Sequence, residues 1–161
     1  MYKLVAYLLI LVLGMMLNAL QTDEEMAMKA LFQAKHALNR AAHAAAQQLD
    51  VSKLPAGVYS IDPLRAETTA LSYLQRNLRL DASNHPLPGT FFKQQIEILV
   101  FEVINEDRGF PYIYENADYG YKVTLARPGV ILIIRVEYPR MFNIMGPVTW
   151  EIKGAAEIYE A

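Results

Sequence analysis

The stretch LVAYLLILVLGMMLNAL, residues 4–20, decides how this chain is read. Fifteen of its 17 residues are apolar, Gly14 and Asn18 alone interrupt it, and no charge falls inside it. As a helix it is about 26 Å long. That is the short end for a bilayer core of about 30 Å, but residues 1–3 and 21–22 extend it into the headgroups. Lys3 precedes the run, and Asp23, Glu24 and Glu25 come after it. The positive flank predicts an N-terminus inside and the remainder outside. A cleavable signal peptide shares the basic and apolar regions. Its cleavage site, however, wants small residues at −3 and −1, and Leu17-Asn18-Ala19 puts leucine at −3. The expectation is a retained hydrophobic helix.

Beyond residue 20 the helical pattern continues. Between residues 1 and 54 there is no proline, and Gly14 is the single glycine. Residues 26–50, MAMKALFQAKHALNRAAHAAAQQLD, are largely strong helix formers. Leu31, Ala34, Leu38, Ala41, Ala45 and Leu49 recur at steps of three and four and make one apolar stripe. Lys35, His36, Asn39, Arg40, His43 and Gln47 occupy the other face, and Glu25 and Lys29 stand i,i+4 in the favourable order. The pattern predicts one continuous helix over residues 3–50, about 70 Å long, apolar all round in its first half and amphipathic in its second. The small side chains of the stripe allow a sheet or a second helix to approach closely. Pro55-Ala56-Gly57 stops it.

Asp62 and Pro63 next read as N-cap and first position of a second helix over residues 63–80, with Leu64, Leu71, Leu74 and Leu78 as its stripe. Residues 81–90 form a turn-rich loop. The period then changes. Residues 96–104, 119–126, 130–138 and 148–159 read as strands, the third strongest and central. Residues 105–118, rich in Asn, Asp, Gly and Pro, read as a loop. In the last strand Val148, Trp150, Ile152, Ala156 and Ile158 share one face, with Thr149, Glu151, Lys153 and Glu157 on the other. Short connections between successive strands predict an antiparallel meander. The expected fold is α+β: a long N-terminal helix packed on a four-stranded antiparallel sheet, with one additional helix. Residues 1–54 form the helix (3–22 the membrane half, 23–50 the amphipathic half), and residues 55–161 form the globular part.

Composition bounds the function. With 161 residues the chain makes one domain, and 53% apolar against 20% charged residues excludes disorder. A net charge of −2 argues against nucleic-acid binding. The absence of cysteine removes disulfides, a thiol nucleophile and thiolate-bound metals. No GxSxG, HExxH, P-loop or GxGxxG motif occurs. His36 and His43 share a helix face but stand about 10.5 Å apart along the axis, too far for one metal ion. They read as surface or interface histidines, and His85 stands alone in its loop. Glu106, Asp107, Glu115 and Asp118 read as ordinary loop charge in the absence of an EF-hand pattern. Neither catalytic, cofactor nor metal residues are assigned. Tyr112, Tyr114, Tyr119 and Tyr121 form either an adhesive surface or strand packing. The connection Met141-Phe142-Asn143-Ile144-Met145 is apolar, hence either tucked under the sheet or offered to a partner or membrane.

An apolar N-terminal helix that runs without a break into an amphipathic half and packs on an antiparallel sheet resembles the subunits of type IV filaments. ALNRAAHAAAQQLD, residues 37–50, is similar to the alanine-rich helix of TadE/TadG-like minor pilins of the tight-adherence (Flp) pilus. Residues 130–159, VILIIRVEYPRMFNIMGPVTWEIKGAAEIY, resemble their C-terminal end: a strand, a Tyr-Pro, an apolar connection and a final strand. The resemblance implies a structural, non-enzymatic subunit of an extracellular filament. Its partners would be further copies of itself, other pilins and an assembly platform, and it would be stored in the cytoplasmic membrane before assembly. The expected interface comprises Leu4, Val5, Leu8, Leu9, Leu11, Val12, Met15 and Met16, with Phe142 and Met145 as a second contact. The alternative is a single-span anchored protein whose external domain senses or binds without polymerising. A signal-anchored exported enzyme is a third class, and no catalytic set supports it.

Overall fold

A computed structural model describes residues 2–142 and 146–159. Helix α1 spans Tyr2–Ala46 and is unbroken across the acidic cluster, a rod of 45 residues, about 68 Å. It ends before the expected residue 50. Gln48 N bonds Ala45 O in a tighter last turn, and the backbone then pairs with the returning chain. Asp50 N donates to Ser60 O and Asp62 N to Gln48 O, with Leu49 opposite Ile61. That pairing satisfies backbone groups that a longer helix would have used itself. Gly57 takes a left-handed φ of 73° at the end of the 3-10 turn Leu54–Ala56.

Helix α2, Pro63–Leu78, starts as expected: the Asp62 carboxylate accepts from Leu64 N and Arg65 N, and Pro63 holds the first position. Its buried stripe is Ala66, Ala70, Leu74 and Leu78. Leu64 departs from the predicted stripe and is 74% exposed. In the first turn it points away from α1, against which the later alanines lie. Arg79, in a left-handed conformation, ends the helix one residue past Leu78.

The predicted four-stranded meander is corrected. The main sheet has three strands, β1 (Glu97–Ile104), β4 (Gly129–Tyr138) and β5 (Val148–Glu157), in the antiparallel order β1-β4-β5. A separate hairpin pairs β2 (Tyr112–Asn116) with β3 (Tyr121–Leu125). β2 lies inside the segment read as a loop, where its five residues are flanked by breakers that mask them. The hairpin folds over the sheet instead of extending it. The reason is visible in β4, whose six residues 129–134 are all buried. Val130, Leu132, Ile134 and Val136 pack with the helices, whereas Ile131 and Ile133 pack with Tyr114, Leu125 and Ile104 under the hairpin. A strand covered on both faces shows a continuous apolar run, not an alternation. The layers are thus helices, sheet and hairpin. β5 keeps the predicted faces, with Ile152, Ala156 and Ile158 buried.

The alanine stripe allows a close approach. A Cβ built on Gly154 would lie 2.3 Å from Leu38 Cδ2, so only glycine admits the helix at this distance from β5. Ala27, Ala30, Ala34, Ala37, Leu38, Ala41, Ala42, Ala45 and Ala46 are all buried, where α1 packs on α2 and the sheet.

Candidate functional site

The first half of α1 has no cover of its own. Leu4, Val5, Leu8, Leu9, Leu11, Val12, Met15 and Met16 are between 44% and 71% exposed. They cover one side of the helix, and Tyr7, Ile10, Leu13 and Leu17 on the other side are exposed as well, so the uncovered apolar surface runs round the whole rod. Asn18 satisfies part of its amide within the helix, donating to Gly14 O at 3.0 Å. Thr22 donates its hydroxyl to Asn18 O in the same manner. Asn18 and Thr22 are therefore bonded along the rod itself.

Burial begins abruptly at Asp23, which is 2% exposed. Its two oxygens hold the β4–β5 connection. Oδ1 accepts from Met141 N at 2.7 Å, and Oδ2 from Arg140 Nη1 at 3.1 Å. The same Nη1 donates to Glu24 Oε1 at 2.8 Å. The two carboxylates, Glu24 foremost, push the Arg140 guanidinium above its ordinary value. Beside this clasp Tyr138 stacks on Trp150, with ring centroids 6.3 Å apart and planes 25° apart. Burial raises the Tyr138 phenol, and the Asp23 charge adds to that shift. Sequence reasoning misses the clasp, although a signal exists. Asp23 stands four residues before Ala27, at the head of the stripe that continues through Ala30 and Ala34. A charge in that register faces the sheet and requires a partner.

Of the apolar connection, Met141 and Phe142 are described and face outward, 60% and 38% exposed. Met145, the other expected contact, lies outside the described residues. Met26, Thr90, Phe91, Lys93, Tyr138, Pro139 and Met141 line a shallow groove beside it. Two further apolar residues of the rod, Met28 and Phe32, are about half exposed on the face away from the alanine seam, and Phe32 joins Lys35, Trp150 and Ile152 along a second groove.

The remaining candidates resolve into structure. Tyr114 is buried, it meets Tyr121 at 6.3 Å between ring centroids, and Tyr112 and Tyr119 pack beside them against the sheet. Burial pushes both the Tyr114 and Tyr121 phenols up. The tyrosine cluster is therefore packing under the hairpin. His36 and His43 are exposed on the solvent face of α1, and His85 Nδ1 lies 4.0 Å from Asp81 Oδ1. The acidic loop residues pair separately: Glu106 with Lys53 at 2.6 Å and Glu115 with Lys122 at 2.8 Å. Among the described residues no three His, Asp or Glu side chains converge on one point. Asn105 is a further residue that no sequence motif marks. Its amide accepts from Ile61 N at 2.8 Å and donates to Ile61 O at 2.9 Å, replacing a strand partner for the chain between the helices.

No known protein family matches this chain, and no characterised protein or solved structure matches it.

Proposed function

We propose that the chain is a structural, pilin-like subunit of a type IV-like extracellular filament, polymerising through the apolar half of α1. The observation that carries this reading is the continuity of Tyr2–Ala46: an uncovered apolar rod runs straight into a half fixed to the globular part. Full burial of each large apolar side chain is worth about 1.5–3 kcal/mol against water. The segment therefore resides in lipid or among neighbouring helices. A rod that is rigidly attached to its head can exchange lipid for sister rods while setting the orientation of the head. A simple tether needs no such attachment and is usually joined to its domain by a flexible linker. Here Asp23, the first buried residue, comes directly after Thr22 in the same helix, and no linker intervenes.

Cells expressing the chain are sheared, and the detergent-free sheared fraction is probed with antibody. The expected result is this chain at high molecular mass, lost when Leu9→Lys places a charge in the rod. Recovery only from detergent-solubilised membranes, as a monomer after crosslinking, overturns polymerisation and leaves the anchored, non-polymerising protein.

A further inference from the structure

We infer that the tip carrying Met141 and Phe142 is a second membrane contact, seated at the boundary between headgroups and acyl chains beside α1. The inference rests on the apolar half of α1 lying in lipid before any assembly. Depth is the first argument. Asp23 lies three positions past Leu20, the last apolar residue of the run, about 4.5 Å along the axis. Helical side chains tilt toward the N-terminus, here toward the membrane. The Asp23 carboxylate reaches down in that sense and holds Met141 N at 2.7 Å. The tip backbone is thereby fixed at the level where the span ends, within a headgroup layer about 5–7 Å deep on each side.

Chemistry is the second argument. Met141 and Phe142 are exposed, a composition suited to the interfacial zone and costly in water. The charges next to them are partly offset, because Arg140 bridges Asp23 and Glu24 and leaves one net negative charge among the three. Lys93 stands exposed on the rim of the adjoining groove with Phe91 and Met26. An ammonium on an apolar rim can lie along it and reach lipid phosphate. Span and tip then give two points of attachment, which fix the tilt and rotation of the globular part over the bilayer. The occupant is the lipid surface, with a sister copy as the competing outcome.

The chain has no cysteine, so a single introduced thiol is a unique label. Full-length Phe142→Cys, Leu9→Cys and His36→Cys are each labelled with an environment-sensitive NBD fluorophore. They are reconstituted in vesicles of phosphatidylcholine and phosphatidylglycerol containing lipids spin-labelled at shallow or deep acyl positions. The Phe142 probe is expected to be quenched about twofold more by shallow than by deep label. The Leu9 probe should show the reverse order. The His36 probe, about 20 Å beyond Asp23, should respond to neither. Adding Arg140→Gln should remove about half of the shallow quenching at Phe142 while leaving Leu9 unchanged. A Phe142 probe behaving like His36 overturns the contact while the span stands. A blue-shifted Phe142 probe indifferent to both labels is covered by protein, which also overturns it. An unquenched Leu9 probe overturns the membrane placement itself, whatever the sheared fraction shows about filaments.

Discussion

Gly154→Ala tests the attachment of rod to head. The new Cβ would stand 2.3 Å from Leu38 Cδ2 and 3.2 Å from Asn39 Oδ1. Carbon atoms pack best at about 3.5–4.0 Å, so more than 1 Å of overlap must be relieved. Leu38 is fully buried, so it must move within the packed core. Overpacking of this kind costs about 1–3 kcal/mol. The alanine regains about 0.5–1 kcal/mol by restricting the unfolded chain, so a net loss of about 1 kcal/mol, and at most about 2.5 kcal/mol, is expected. For a chain of this size about 1 kcal/mol lowers Tm by about 2–4 °C. Trp150, the single tryptophan, lies four residues away in the same strand and reports the transition by fluorescence in detergent micelles. Leu38→Ala alone should cost about 2–5 kcal/mol by leaving a cavity. In the double variant the new methyl enters that cavity, so the losses should fall short of additivity by about 1–2 kcal/mol. A neutral Gly154→Ala, or strictly additive losses, would refute the close approach of α1 to β5 as a structural requirement.

Asn105→Ala orphans the buried N–H and C=O of Ile61, at about 1–3 kcal/mol for each group, while Asn105→Asp keeps the acceptor and should lie between; chemical denaturation ranks the three. Removing the α2 cap with Asp62→Ala should cost about 1 kcal/mol, and equal midpoints for variant and parent would remove Asp62 from that role. Asp23→Ala leaves Met141 N without an acceptor, about 1–3 kcal/mol, and amide exchange should rise at Met141 ahead of the rest of the sheet. The hydrogen bond from the Lys53 ammonium holds the Glu106 carboxyl below the ordinary carboxylate range. A depressed folded value stabilises above the unfolded pKa of about 4.3 and is lost as pH falls through the folded one. Glu106→Gln should therefore flatten the acid limb of the Tm–pH profile slightly, the pair being exposed, and an unchanged limb would remove the pair from it.

The helices were legible because their signals are local. Proline-free continuity, the alanine stripe and the Asp62-Pro63 start each depend on residues within a few turns of one another. The sheet was half legible. Residues 130–138 read as the central strand, yet the unbroken apolar run 130–134 also announced a second cover, which β2, inside the loop segment, helps to supply. β2 escaped because breakers surround YIYEN and because its pairing partner, β3, looked like a member of the main sheet. The clasp and the Asn105 strap were harder, joining residues 117 and 44 positions apart. The register of Asp23 shows that it needs a partner, but not which side chain folding brings to it, and nothing local marks Ile61 or Asn105. The exposed apolar rod was fully visible from the start, since its sequence contains nothing with which one copy could cover it.

Besides α2, which packs along it, three supports hold the amphipathic half of α1, and their spacing explains why the rod can act as one body. The clasp grips it at Asp23, β5 touches it at Leu38, and the returning chain pairs with Gln48 and Leu49. The intervals are about 22 and 15 Å along the axis. A helix draws most of its stability in a protein from such packing, not from intrinsic propensity. The first support lies immediately beyond the apolar run, so the uncovered half projects from a fixed point without a flexible joint. A displacement of the head must then tilt the whole rod, and a change in what surrounds the rod must reorient the head. That coupling is what a subunit passing from lipid into a bundle of sister helices requires, and it depends on the boundary at Asp23 staying closed.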